Sequence, residues 1–187
     1  LCLSRLARRP HGIDLGPLEP CLPGRLGADA RIHIAPEPLV ADVERLARLS
    51  SSTGTGVALQ LIGRRDLRSN NSWMHNSHRL VKGPNRCTLL MHPSDAARIG
   101  VAGGTRVRVR SRTGTIAVEA EVSDAVMPGV VSLPHGWGHD RPDVRLAIAS
   151  AHAGASINDL TDELAIDAVS GNAAFSGVAV TVESPAP

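Results

Sequence analysis

The sequence predicts a mainly β protein, a six-stranded barrel with short helices behind an irregular N-terminal extension. Three observations predict it. Six short β-prone runs crowd into the roughly 130 residues after residue 56. Two of them flank a Thr-Gly turn, and one alternates strictly, as a hairpin with one wet face does. With only Trp73, Trp137 and Phe175 as aromatic residues, the core has to come from Val, Leu, Ile and Ala, a composition that suits small strands.

The chain has 187 residues and is 42% hydrophobic, enough for one core and an appendage. It begins at Leu1, inside an amphipathic stretch with Leu1, Leu3 and Leu6 on one side, so the expectation is a fragment of a longer protein. Residues 10–38 hold six prolines and four glycines and show neither a helical nor a strand period. A stretch of that length without periodicity is unusual inside a compact domain. Its Ile13, Leu15, Leu18, Leu22 and Leu26 suggest a segment laid across another surface, with a loose linker as the alternative. After Pro38, which a first helical turn tolerates, Leu39, Val43, Leu46 and Leu49 recur at helical spacing and predict one short helix to about residue 49. Ser50 to Gly56 reads as a flexible join. The expected division is therefore an extension over 1–56 and a barrel domain over 57–187.

The strands are expected at Val57–Ile62, Cys87–Met91, Thr105–Arg110, Thr115–Val122, Gly129–Leu133 and Val178–Val182. In the third, Val107 and Val109 point inward and Arg106, Arg108 and Arg110 outward. Between strands, His92 to Gly100 predicts a short helix capped by Ser94 and stopped by Gly100.

Composition excludes several classes. Twenty Lys plus Arg against eighteen Asp plus Glu leave +2, far from the basic excess of a nucleic-acid binder. The stripe of Arg106, Arg108, Arg110 and Arg112 reads as a solvated strand face, since no aromatics interleave with it. No run of about 18 apolar residues offers a membrane span and no signal-peptide pattern opens the chain, so the expected location is cytoplasmic. Cys2, Cys21 and Cys87, odd in number and widely spaced, fit reduced thiols better than a disulfide framework or a zinc site.

Three ordered stretches then resemble one family. Pro93-Ser94-Asp95-Ala96 through Gly100-Val101-Ala102-Gly103-Gly104 to Val107 and Val109, followed by Arg112-Thr113-Gly114, resembles a segment of the dimethyl-sulfoxide-reductase family. Val126-Met127-Pro128-Gly129-Val130-Val131, running on to Pro134-His135-Gly136-Trp137, resembles its continuation. Asn158-Asp159-Leu160-Thr161, with Asp167 and Ser170-Gly171, resembles its terminal signature. The chain departs from the pattern at Gly103-Gly104, where acidic residues are common, and at Asp159, where a small or apolar residue is usual. The resemblance covers about residues 57–183 and implies the C-terminal molybdopterin-dinucleotide-binding domain of a molybdenum oxidoreductase. It further implies a double-psi β-barrel of the aspartate-decarboxylase-like kind. The implied cofactor is molybdopterin guanine dinucleotide with molybdenum, the implied partners are the remaining domains of the parent enzyme and an electron-transfer subunit, and any iron–sulfur cluster would lie upstream. Neither nucleic acid nor membrane is among the expected partners.

Chemistry concentrates in Gly63 to Asn76. Guanidinium, amide and hydroxyl donors there match a pyrophosphate and a pterin edge, and Trp73 offers a stacking face. By resemblance, binding is carried onto Arg64, Ser69, Asn70, Asn71, Ser72, Trp73 and His75; a polar loop using Asn for turns is the alternative. Pro134, His135 and Gly136 would meet the cofactor at a strand end, unless Trp137 and the glycines merely plug and turn the chain. His135 and His139, four apart, would suit zinc on a helix, but two intervening glycines and no third ligand argue against it. Asn158 can present its amide to the pterin, or cap the turn before Leu160.

On this reading the domain binds and orients but does not catalyse. A free-standing double-psi module that binds a protein partner is the competing class; it would show an exposed apolar patch instead of a donor-rich loop. A self-processing barrel needs Gly-Ser and a serine hydrolase of the elbow type needs G-x-S-x-G; the sequence contains neither.

Overall fold

The computed structural model describes residues 1–27, 29–51 and 58–184. It divides into two compact units, Leu1–Leu49 and Ser50–Pro187.

The first unit holds four short helices, α1 (Leu3–Ala7), α2 (Leu22–Arg25), α3 (Glu37–Ala41) and α4 (Val43–Ser51), joined by irregular chain. None of its described side chains is buried, Leu15 is exposed and Leu18 is fully in solvent. The single helix expected over 39–49 is two. Asp42 ends α3, and its carbonyl accepts from the N–H groups of Arg45 and Leu46 to open α4, while its carboxylate accepts from the Arg45 guanidinium at 2.7 and 2.6 Å. The helix runs on to Ser51, into the expected join; the rest of that join and Val57 lie outside the described residues.

The second unit is the barrel. Its strands are β1 (Leu59–Arg64), β2 (Thr88–Met91), β3 (Arg106–Arg110), β4 (Thr115–Val122), β5 (Val130–Pro134) and β6 (Val178–Glu183). They close in the order β1-β5-β2-β4-β3-β6, so no strand is left with a free edge. Two pairs are parallel, β1 with β5 and β2 with β4, and the other four are antiparallel. Exchanging β1 with β4, β2 with β5 and β3 with β6 leaves this pattern unchanged, the internal two-fold of a double-psi barrel.

Burial follows from that closure. Along β3 the valines point in and the arginines out, with Val109 fully buried. β2 and β5, each paired through a parallel strand, are buried on both faces and read as nearly continuous apolar runs. Leu59, Leu61, Leu89, Met91, Val131, Leu133 and Val180 fill the interior. Burying each such side chain contributes about 1.5–3 kcal/mol.

Helix α5 (His78–Val81) precedes β2, α6 (Pro93–Ile99) follows it, and α7 (Ala147–Ala151) lies between β5 and β6. Pro93 opens α6 and Gly100, at φ 76°, closes it in the left-handed conformation. The cap differs from expectation. His92, not Ser94, occupies the N-cap, and its ring nitrogen accepts from the Ser94 N–H at 3.2 Å.

Candidate functional site

Residues 65–76 leave the end of β1 and fold into successive turns. Asn70 and Asn71 both sit at positive φ, 43° and 61°, a conformation their short amide side chains tolerate better than most. The loop is anchored from beneath. Ser69 and His75 are buried, and His75 accepts or donates along a chain: Nε2 to the Ser69 hydroxyl at 2.7 Å, Nδ1 to His139 Nε2 at 2.7 Å. Its ring stacks on Trp137 with centroids 4.0 Å apart. Burial, then the neighbouring His139 and Arg86, push the His75 pKa down to about 4, and burial lowers that of His139, so the pair is neutral at neutral pH.

A second anchor is Asp66. Its carboxylate accepts from the Arg68 N–H at 2.7 Å and meets the Arg86 guanidinium at 3.0 Å, which in turn lies over the Trp137 ring at 5.9 Å. The chain approaches most closely at Gly136. At φ 96°, a Cβ there would lie 1.9 Å from the Asn71 carbonyl oxygen, so only glycine lets the strand end and the loop meet.

Above these anchors three polar groups converge. Arg65 donates to Asn71 Oδ1, and His135 Nε2 sits 3.0 Å from Arg65 Nη1 and 2.9 Å from Asn71 Oδ1. Arg65 and His135 form the shared wall of two adjoining clefts. One, of 580 Å³, is lined by Asp66, Ser69, Asn70, Asn71 and Met74; the other, of 520 Å³, by Gly63, Arg64, Ile157, Asn158, Thr161, Phe175 and Ser176.

Asn158 belongs to a 3-10 turn, Ile157–Asp159, which Ile157 and Leu160 pin into the core. Its backbone carbonyl accepts from the Thr161 hydroxyl at 2.9 Å. From the outside, Arg112 donates to both Asp162 oxygens and to Glu163, and its bonds to Asp162, with the Leu164 N–H, hold the Asp162 pKa down to about 2.

Of the residues expected in the site, Arg64, Ser69, Asn70, Asn71, His135 and Asn158 line the paired clefts, whereas Ser72, Trp73, His75, Pro134 and Gly136 do not. Arg64 spends its donors on the barrel. It bonds the Ser132 carbonyl, and the Thr88 carbonyl and hydroxyl at 2.8 and 2.9 Å, and burial lowers its pKa. Pro134 is enclosed, and Trp73 stands exposed on the loop's outer side. His135 and His139 face different partners, and among the described residues no group of three His, Cys, Asp or Glu could hold a metal ion. Sequence reasoning passed over Arg65, Asp66, Thr161 and Phe175. Arg65 carried no separate signal in the sequence: it is the first residue beyond β1, whose end was expected two residues earlier, at Ile62.

A cleft of 590 Å³ also opens between Asn85, Glu119 and His152, but it gathers none of the expected residues. All three cysteines are free, with Cys87 buried and its thiol pKa raised by that burial. No helix among the described residues is long and apolar enough to cross a membrane.

A closed barrel whose β1 and β5 ends hold guanidinium, imidazole and amide groups around paired clefts is a ligand-binding barrel domain. The chain belongs to the molydopterin dinucleotide binding domain family, whose pattern matches residues 59–179. It is 45% identical over 64 residues, 34% of this chain and 8% of the relative, to the dimethyl sulfoxide/trimethylamine N-oxide reductase of Rhodobacter capsulatus. It is 32% identical over 93 residues, 50% of this chain and 11% of the relative, to the dimethyl sulfoxide reductase of Escherichia coli (strain K12). The chain thus covers only a small fraction of these curated relatives. Its fold is similar to part of acetylene hydratase from Pelobacter acetylenicus, with a TM-score of 0.58 at 19% identity over 78% of this chain and 20% of that one.

Proposed function

We propose that this barrel holds a molybdopterin guanine dinucleotide carrying molybdenum, as a non-catalytic domain of a larger oxidoreductase. The observation that carries this reading is the convergence of Arg65, Asn71 and His135 on the wall shared by the two clefts, with Asn158 on the facing turn. The donor set suits the group: a guanidinium and an imidazole suit a pyrophosphate, and two carboxamides suit the mixed donor and acceptor edge of a pterin. When bound, the molybdenum centre supplies the oxygen-atom or hydride-equivalent transfer. This chain supplies position and field.

Within the site, Arg65 neutralises anionic oxygens, His135 offers them a ring nitrogen as hydrogen-bond donor, and Asn71 and Asn158 read hydrogen-bonding edges. Ser69, His75 and Gly136 set the loop beneath them, the Ser72 carbonyl accepts from the His75 N–H within it, Pro134 ends β5 beside it, and Arg64 ties β1 to β2 and β5. Trp73, exposed on the loop, is free to stack on the cofactor or the parent protein. We assign the barrel domain to 57–187 and the segment over 1–56, in which no described side chain is buried, to a strap on another surface of the parent chain. Any iron–sulfur cluster or electron-transfer subunit would belong to that parent. The free thiols support a reducing, cytoplasmic location.

The test is the cofactor content of the native protein. Arg65→Ala and Asn158→Ala are expected each to lower retained molybdenum several-fold while leaving the fold intact, and acid hydrolysis of the wild type should release GMP. Full retention in both variants would refute the site, and release of a different nucleotide would refute the guanine form.

A further inference from the structure

The clefts have one wall whose position is set from an unexpected quarter. The tip of the β3–β4 hairpin, Ser111 to Gly114, is a tight turn: the Ser111 N–H donates to the Gly114 carbonyl at 2.9 Å, and the Ser111 hydroxyl accepts from the N–H groups of Thr113 at 3.1 Å and Gly114 at 3.2 Å. This rigid tip rests directly on the turn that carries Asn158. A Cβ on Gly114 would lie 2.2 Å from the Asp159 carbonyl oxygen, a backbone atom that cannot swing aside. Beside it, the Thr113 hydroxyl donates to the Thr161 carbonyl at 3.0 Å, and Arg112 grips Asp162 at 2.6 Å and Glu163 at 3.1 Å. Asp159 is tied laterally to Arg141.

The Asn158 side chain, between these contacts, makes no hydrogen bond of its own within the described residues, although it lines the 520 Å³ cleft. Its placement therefore comes from the backbone, and the backbone is held between core anchors on one side and the hairpin tip on the other.

We propose that Gly114 and Arg112 are positioning residues that set Asn158 over the cofactor cleft, resting on the cofactor reading above. Gly114 does so by close approach: it is not at positive φ, so alanine fits its own backbone and acts only by pushing Asp159 away. Arg112 does so by tethering the far end of the same turn.

The experiment follows molybdenum loss from the native holoprotein after dilution, alongside thermal unfolding. Gly114→Ala is expected to speed that loss about tenfold, the value of one well-placed hydrogen bond. Arg112→Asp should speed it by a smaller factor, and the exchanged pair Arg112→Asp with Asp162→Arg should return it close to wild type. Gly114→Ala combined with Asn158→Ala should lose molybdenum no faster than Asn158→Ala alone, because both act through one carboxamide; general destabilisation would instead add. If Asn158→Ala releases molybdenum while Gly114→Ala retains it, or if the two effects add, the positioning role is overturned and the cofactor site stands. If Asn158→Ala retains it as the wild type does, Asn158 holds no cofactor and this proposal falls, whereas the cofactor reading falls only if Arg65→Ala retains it as well. Should Gly114→Ala not fold, the exchanged Arg112 pair decides, and failure to restore retention overturns the proposal.

Discussion

The loop over 65–76 and the turn over 157–162 form facing walls of one site, yet they are held in opposite ways. The loop is fastened from inside, by the buried chain of Ser69, His75 and His139 stacked on Trp137 and by the Asp66–Arg86 pair. The turn is fastened by two apolar side chains, Ile157 and Leu160, by the β3–β4 hairpin tip resting on its Asp159 carbonyl, and by ion pairs at the surface. Buried polar groups that lose a partner keep their full desolvation penalty, whereas exposed ion pairs contribute about 0–1 kcal/mol. The loop is therefore the wall sensitive to acid and to loss of a buried partner, and the turn is the one that tolerates loss of a surface ion pair.

Gly136→Ala should break this contrast hardest. It forces both a disfavoured φ and an overlap with the Asn71 carbonyl, so a loss of roughly 3–5 kcal/mol is expected in denaturant unfolding. A cost below about 1 kcal/mol would mean that the loop is not pinned there.

Acid comes next. His75 titrates near 4 in the folded protein and near 6.5 when free, so the unfolded chain takes up its proton first. Stability from this group is complete above pH 6.5 and falls as the pH drops towards 4, by on the order of 3 kcal/mol, with His139 adding in the same direction. His75→Gln, which can still bond Ser69 and His139, should flatten most of that slope in melts between pH 7 and pH 4. An unchanged slope would place the acid sensitivity elsewhere.

The two neighbouring arginines sharpen the comparison. Arg64→Ala strands the Thr88 and Ser132 carbonyls and should cost about 2–3 kcal/mol of stability. Arg65→Ala, at the exposed shared wall, should cost less than about 1 kcal/mol while releasing cofactor. The smallest effect belongs to Trp73→Ala. With the side chain in solvent, stability should move by no more than about 0.5 kcal/mol, so a larger shift would show that the loop's outer side is packed.

What the sequence made legible was whatever periodicity or turn chemistry encodes. The alternating Val107 and Val109, the Thr-Gly hairpin and the Gly100 stop all stand where expected, and strand ends moved by only one or two residues. The Asp42 break was hidden because the helical period continues through it, and the capping competition between His92 and Ser94 turns on side-chain geometry. The site was half legible. Donor-rich residues 63–76 pointed to the loop that walls the clefts, but residue type does not say which way a side chain faces. Arg64 and Arg65 are chemically the same; the strand register sends one onto the barrel's own carbonyls and the other to the cleft. The same limit applied to His75, a candidate ligand by chemistry and a buried anchor by packing, and to Gly114, whose part depends on a carbonyl 45 residues further along.

The central claim is that this barrel is the cofactor clamp of a larger molybdenum enzyme. Its most direct test is to tag the C-terminus of the chromosomal copy, purify the native product, and measure its mass and molybdenum content together. The account predicts a product far heavier than 19.6 kDa that carries molybdenum; a metal-free product of that mass would contradict it and leave a free-standing barrel.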